Sequence, residues 1–297
     1  MAVTLATAGY ACLSQATSGW QASVEGAANA APDARVVVLD IKTARLLAGH
    51  RIPDATHTLA APGSTLKPLV LYGLVESGRW DPKRRVSCDR GLMVAGHRLA
   101  CTHPAAPPFD AREAMAWSCN SYFAAMARTL QTGELGRLLR PTGLLSAIGL
   151  QMANVPVTEE AVAEYREPRN AEAMQLALLG VQGIRVTPLE LAVAYRWLAL
   201  ELSAHSDSKA TGVVRAGLQD SAEFGMAGQA SLGGVPVAGK TGTAESAGSS
   251  LTHGWFAGLA PADNPQVVIV VYLPAGRGTD AAHFAGELLA RSPLVRP

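Results

Sequence analysis

The sequence predicts an α+β fold: a mostly antiparallel sheet flanked by helices, with an all-helical lobe and a cleft between the two. Three observations carry this. Strand-like runs occur at both ends of the chain, while helical patterns fill its middle. The early strands therefore join the late ones in one sheet, and the central helices form a second layer and a lobe of their own. With 297 residues, 48% of them hydrophobic, the chain can bury a sizeable core.

Residues 1–32 read as an N-terminal extension and 33–297 as one domain. The opening "MAVTLATAGYACLSQATSGW" is mildly apolar, has no basic leader and does not make a signal peptide. It fits the remnant of a leader or anchor, and the small polar residues of "SVEGAANAAPDA" suggest disorder up to about residue 32. No run reaches the length of a membrane span.

"ARVVVLDIKTARLLAGH" is a β-hairpin by its two apolar runs and the short polar turn from Ile41 to Thr43. "APGSTLKPLVLYGLVESG" opens a helix at a serine. Residues 80–110, with Pro82, Pro104, Pro107 and Pro108, read as irregular. "DAREAMAWSCNSYFAAMARTL" is helical in two pieces that meet near Ser118. "NAEAMQLALLG" is a helix with Asn170 as N-cap and Gly180 as its stop. "TPLELAVAYRWLALEL" is another, capped by Thr187 with Pro188 at its first position. A third helix covers "VVRAGLQDSAEFGMAGQAS". The pattern then changes to three strands, "VPVAGKTGTAE", "THGWFAGLAP" and "QVVIVVYLP", and "DAAHFAGELLAR" closes the chain as a helix.

Net charge is +1, which excludes a strong basic field and makes nucleic acid a poor partner. The four cysteines, Cys12, Cys88, Cys101 and Cys119, do not form a paired CxxC zinc pattern. Cys88 and Cys101 flank "DRGLMVAGHRLA", a turn-like stretch, which admits a local disulfide outside the cytoplasm. His97 and His103 lie close by, so the set also admits zinc, ranked below buried thiols or a disulfide. We assign no metal and no cofactor from the sequence.

A nucleophilic serine needs a base, donors for an oxyanion and a site that orients its substrate. Ser64 and Lys67 stand three residues apart at a helix start. That spacing puts both on one face, near free backbone N–H groups and the positive end of the helix dipole. A lysine acts as a base only when neutral, a condition that burial and a nearby cation promote. The competing reading is an N-cap serine beside a solvated lysine. The chain carries its own decoy at the same spacing: Ser206 and Lys209 in "SDSK", a polar loop-like stretch that opens no apolar helix.

Two further triplets change the balance. "WSCNSYF" contains Ser118 and Asn120 as an S-x-N triplet, and "AGKTGTAE" places Lys240, Thr241, Gly242 and Thr243 on a strand. The order S-x-x-K, S-x-N, K-T-G is the signature of serine acyltransferases that react with penicillin. The chain resembles the transpeptidase domain of penicillin-binding proteins over roughly residues 33–295. Its hairpin, nucleophile helix, middle motif, "LLGVQGIRVTPLELAVAYRWLA" and last strands follow in the same order.

The resemblance implies a β-lactamase/transpeptidase-like fold and D,D-transpeptidase activity on D-Ala-D-Ala stem peptides of peptidoglycan. Ser64 would be the acylated nucleophile and Lys67 its base. Ser118 would relay a proton to the leaving D-alanine, and Asn120 would bind substrate and Lys67. Lys240 would supply positive potential, Thr241 and Thr243 would hold the terminal carboxylate, and Gly242 would allow close approach. Backbone N–H groups of Ser64 and Thr243 would form the oxyanion hole. The resemblance also implies β-lactams as covalent inhibitors and an extracytoplasmic location, with membrane attachment only through a missing N-terminal anchor. The alternatives are a D,D-carboxypeptidase, a serine β-lactamase, or a sensor that is acylated without turnover. Glu167 in "YREPRN" is similar to a β-lactamase deacylating glutamate, but the string is one residue shorter and Asn170 is better used as a cap.

Overall fold

In a computed structural model, residues 17–104, 106–146, 159–245 and 251–295 are described. Strand β1 (Arg35–Asp40) pairs with β2 (Leu46–His50), as the hairpin pattern predicts. Two further hairpin-forming strands of this sheet are β8 (Thr252–Ala260) and β9 (Val267–Leu273), and β7 (Ala238–Glu245) pairs with β8 at one edge. The order is β2-β1-β9-β8-β7, antiparallel at every pairing.

Register sorts the sheet into two faces. In the β1–β9 pairing, Val36 opposes Val271 and Val38 opposes Ile269, while the intervening Val37 opposes Val270 and Leu39 opposes Val268. Because side chains alternate along a strand, these pairs supply two separate cores. The first face packs on α1 (residues 17–28) and the C-terminal helix, which we number α9 (Gly278–Leu289). The second packs on the helices of the middle of the chain. Strand β9 is buried at all seven positions, so it shows no alternation of apolar and polar residues.

Residues 17–28 correct the expected disordered extension. Trp20, Val24, Ala27 and Ala28 are buried against Phe284 and Leu288 of α9 and the sheet valines. The buried alanines are small enough to let the helix lie close on the sheet. Residues 1–16, with Cys12, lie outside the described residues.

Helix α2 (Lys67–Glu76) follows a 3₁₀ turn, Gly63–Leu66, and is buried along nearly its whole length. Residues 80–110, expected to be irregular, contain a second hairpin: β3 (Gly91–Val94) and β4 (His97–Ala100). Its turn, Ala95–Gly96, has positive φ at both residues, 46° and 81°, the requirement of the tight two-residue hairpin turn. Helices α3 (Ala111–Ala116) and α4 (Asn120–Ala127) meet at Ser118, and α3 opens with an Asp110–Glu113 capping box. Helix α5 (Glu134–Leu139) comes next.

Asn170 caps α6 (Ala171–Leu178) by accepting from the Ala173 N–H at 2.8 Å, and Gly180 ends it at φ 69°. Thr187 and Glu190 form the capping box of α7 (Pro188–Ala204). Strands β5 (Glu164–Tyr165), before α6, and β6 (Ile184–Arg185), after it, pair antiparallel. Helix α8 is Lys209–Glu223. Among the described residues no helix is long and apolar enough to cross a membrane.

The local Cys88–Cys101 disulfide that the sequence admits does not form. Cys88 bonds Cys119, with a Cα–Cα distance of 6.2 Å, and Cys101 is a free thiol whose Sγ lies 3.8 Å from that of Cys88. The hairpin β3–β4 lies over the start of α4. Ser121 Oγ donates to the Asp89 carbonyl at 2.8 Å and Asn120 Nδ2 to the Leu99 carbonyl at 3.2 Å. That docking delivers Cys119 to the hairpin's open end.

Candidate active site

Ser64 lies on the 3₁₀ turn, and Lys67 is the first residue of α2. In a 3₁₀ turn residues i and i+3 eclipse, so the pair shares one face more closely than an α-helix would require. Gly63, Thr65, Leu66 and Lys67 are buried and Ser64 is partly exposed, so this side chain is the accessible one of the turn.

Contacts from three other elements hold the turn. Tyr195 of α7 donates its hydroxyl to the Thr65 carbonyl at 2.8 Å, and Thr65 Oγ1 donates to the Pro62 carbonyl at 2.7 Å. His253 Nε2 and Trp255 Nε1 of β8 both donate to the Ala61 carbonyl, at 2.8 and 2.9 Å. Gly63 N–H donates to the Gly180 carbonyl at 2.9 Å. A Cβ on Gly180 would sit 2.3 Å from Gly63 O, so the glycine that ends α6 also lets that turn close on the backbone beside Ser64. No motif marks Tyr195, His253 or Trp255, since their partners lie more than a hundred residues away in the chain.

Lys67 is fully buried. Its Nζ donates to the Ser118 carbonyl at 2.9 Å, to Ser118 Oγ at 3.2 Å and to Asn120 Oδ1 at 2.8 Å, and lies 5.0 Å from the centre of the Phe123 ring. Burial pushes its pKa down to about 7, opposed by the negative potential of Cys101. The solvated-charge reading of Lys67 is thereby excluded.

Ser118 stands between α3 and α4 with φ at 57°, a left-handed conformation that costs a non-glycine residue about 1–3 kcal/mol and concentrates at functional sites. The turn aims both its carbonyl and its hydroxyl at Lys67. Asn120 is held from both sides, by its amide to Leu99 and by its backbone N–H to Cys101 Sγ at 3.2 Å.

Lys240 projects from β7, also fully buried, and donates to the Thr241 carbonyl at 3.2 Å. Burial first, and then the charge of Lys67, hold its pKa well below the usual lysine range. Among the described residues Lys67 has three acceptors around its Nζ and Lys240 has one, so burial lowers both pKa values while the better-supported ammonium site is that of Lys67. Gly242 meets its expectation of close approach, since a Cβ there would lie 2.5 Å from the Pro62 carbonyl oxygen. Strand and nucleophile turn are in backbone contact, and a Cβ on Gly63 would lie 3.1 Å from the Thr243 nitrogen.

Thr241 and Thr243 share a face, as alternation requires, but α9 starts against it. Thr241 is 5% exposed beneath Gly278. Thr243 is exposed, and its Oγ1 accepts from the Gly278 N–H at 2.9 Å. A hydroxyl that accepts still has its own proton to donate.

Glu167 uses its carboxylate structurally: one oxygen accepts from the Gly133 N–H at 2.7 Å and the other from the Tyr165 hydroxyl at 3.0 Å. The decoy pair is exposed. Its stretch leads into the amphipathic helix α8, which Ser208 caps through the Thr211 N–H, and Ser206 and Lys209 face solvent. A cavity of about 1350 Å³ opens beside the nucleophile turn, bordered by Ala61, Gln182, Arg185, Glu245 and His253.

Residues 34–292 match the family described as penicillin binding protein transpeptidase domain. The peptidoglycan D,D-transpeptidase PbpA of Mycolicibacterium smegmatis is 24% identical over 324 residues, covering 86% of this chain and 64% of the relative. Stage V sporulation protein D of Bacillus subtilis is 24% identical over 79% of this chain and 40% of its own length. The chain thus spans between about two fifths and two thirds of these relatives. The transpeptidase domain of Burkholderia pseudomallei penicillin-binding protein 3 superposes with a TM-score of 0.78 at 19% identity, covering 96% of this chain and 97% of that one. The D,D-transpeptidase domain of an Eggerthella lenta peptidoglycan glycosyltransferase gives 0.76 at 20% identity, over 92% and 80%. These likenesses agree with the order of the three motifs around the buried lysines, and this chain belongs to the penicillin-binding protein transpeptidase domain family.

Proposed function

We propose that the chain is a serine D,D-transpeptidase acting on peptidoglycan stem peptides outside the cytoplasm, with β-lactams as covalent inhibitors. The observation that carries this is Lys67: buried, with its pKa at about 7, bonded to Ser118 and Asn120, and one helical turn from Ser64. Neutral Lys67 takes the proton of Ser64 Oγ as that oxygen attacks the carbonyl between the two D-alanines. Backbone N–H groups of Ser64 and Thr243 stabilise the oxyanion. The C–N bond then breaks. Ser118, in contact with Lys67, passes the proton to the leaving D-alanine nitrogen, and the stem remains as an ester on Ser64. An acceptor amine attacks the ester, restores Ser64–OH and completes the new peptide bond.

Thr243 donates its hydroxyl to the terminal carboxylate, with Thr241 behind it on the same face. The arriving carboxylate favours a proton on Lys240, and that charge drives Lys67 towards its neutral, basic form. No metal or redox group takes part in these steps.

The test is incubation with a D-Ala-D-Ala peptide and an amine acceptor, followed by mass spectrometry over time. Transfer product together with released D-alanine supports transpeptidation. Hydrolysis alone identifies a carboxypeptidase, rapid loss of a β-lactam adduct identifies a β-lactamase, and a permanent adduct without peptide turnover identifies a sensor. Any of these three overturns the proposal. The engagement of both Glu167 oxygens by Gly133 and Tyr165 argues against its use in deacylation.

A further inference from the structure

We propose that Cys88, Cys101, His103 and Cys119 form a zinc site in the reduced protein, built directly behind the Ser118–Asn120 loop. The four donor atoms lie within 4.8 Å of one another. Cys88 comes just before the β3–β4 hairpin, Cys101 and His103 just after it, and Cys119 is the residue that caps α4. Four thiolate and imidazole ligands at about 2.3 and 2.1 Å from a tetrahedral Zn²⁺ stand about 3.5–3.8 Å from each other. The Cys88 and Cys101 sulfurs are 3.8 Å apart, and Cys88 Sγ lies 3.1 Å from His103 Nε2.

The histidine supplies an independent observation. His103 is 2% exposed, and its Nδ1 is bonded to the Pro104 carbonyl at 2.7 Å. A carbonyl only accepts, so Nδ1 carries the proton and the Nε2 lone pair faces the sulfurs. Zinc-bound histidines are oriented in this way by an outer hydrogen bond. The Asn120 N–H directed at Cys101 Sγ, at 3.2 Å, is a matching outer contact on a thiolate. A Cys88–Cys119 disulfide uses two of the four residues and gives no reason for Cys101 and His103 to converge on the same point. A tetrahedral ion does.

Disulfide and zinc exclude each other. A dithiol or phosphine reductant donates two electrons to the Cys88–Cys119 bond and yields two thiols. Zn²⁺ then binds three thiolates and neutral His103, releasing three thiol protons. Because Cys119 stands between Ser118 and Asn120, the ion would fix the loop that holds Lys67.

The experiment uses the full chain purified with a phosphine reductant, loaded with Zn²⁺, desalted and analysed by native mass spectrometry and elemental analysis. Co²⁺ substitution runs in parallel. One zinc per chain is expected, together with a cobalt spectrum showing sulfur-to-metal charge transfer and the intense d–d bands of tetrahedral coordination. Cys101→Ser and His103→Ala should each weaken zinc affinity by about 10–100-fold or more. Cys101→Ser retains the pair needed for the disulfide, so its folding can be checked by circular dichroism in the oxidised form. Four results overturn the proposal: a disulfide that resists the reductant in the folded chain, a reduced wild type that elutes without zinc, a cobalt spectrum of octahedral type, or equal zinc retention by the Cys101→Ser chain. The wild-type cobalt spectrum decides the matter if a variant does not fold.

Discussion

The buried position of Lys67 fixes how acylation must respond to pH. A lysine in water titrates at about 10.5, and burial brings this one to about 7. At about 1.4 kcal/mol per pH unit the difference is about 5 kcal/mol, which the fold withholds from the ammonium form. If neutral Lys67 is the base, the acylation rate follows its neutral fraction, roughly a tenth at pH 6 and nine tenths at pH 8. The second-order rate of β-lactam acylation, read by fluorescence on a gel or by intact mass, should rise about tenfold over that interval and then level off. A lysine of ordinary pKa would give about a hundredfold rise over the same interval and no plateau below pH 10. The apparent midpoint belongs to the Lys67–Lys240 pair, because the charge of one acts on the other. The stability of the fold has a linked sign. Between about pH 7 and 10.5 the unfolded chain binds more protons than the folded one, so Lys67 makes stability rise with pH across that window and contributes no slope below it. An acylation profile that climbs without a plateau to pH 10 refutes the reasoning.

Other expectations follow from contacts around the same turn. Gly242→Ala places a methyl group 2.5 Å from the Pro62 carbonyl, so strand and nucleophile turn must separate. Acylation should fall by more than tenfold, and an unchanged rate would show that the approach of β7 is unimportant. Tyr195→Phe leaves the Thr65 carbonyl without its buried donor and should cost about 1–3 kcal/mol in urea denaturation, with a smaller change in acylation. Ser206→Ala and Lys209→Ala remove only exposed groups and should leave both stability and β-lactam labelling at wild-type levels.

The family was legible in the sequence because its motif residues are few and ordered. Lys67, Ser118, Asn120 and Lys240 come together as the order of their motifs suggests, and Gly242 lies against the turn that carries Ser64. What escaped depends on tertiary packing. The β3–β4 hairpin has alternation only in part, and its Ala95–Gly96 turn lacks the Asn-Gly or Asp-Gly signal usual for that geometry. Helix α1 is rich in small residues that suggest a linker until Trp20 and Val24 find the sheet. The cysteine pairing was decided by which residue of α4 the hairpin covers, something no spacing along the chain encodes. The burial of Thr241 likewise follows from where α9 begins, dozens of residues later.

The central claim is that Ser64 becomes acylated. It is tested most directly by incubating the protein with a fluorescent penicillin and mapping the adduct by peptide mass spectrometry. One label per chain, located on Ser64 and lost in Ser64→Ala, is the predicted result. A wild-type chain that takes no covalent label, or a Ser64→Ala chain that labels equally well, contradicts the account.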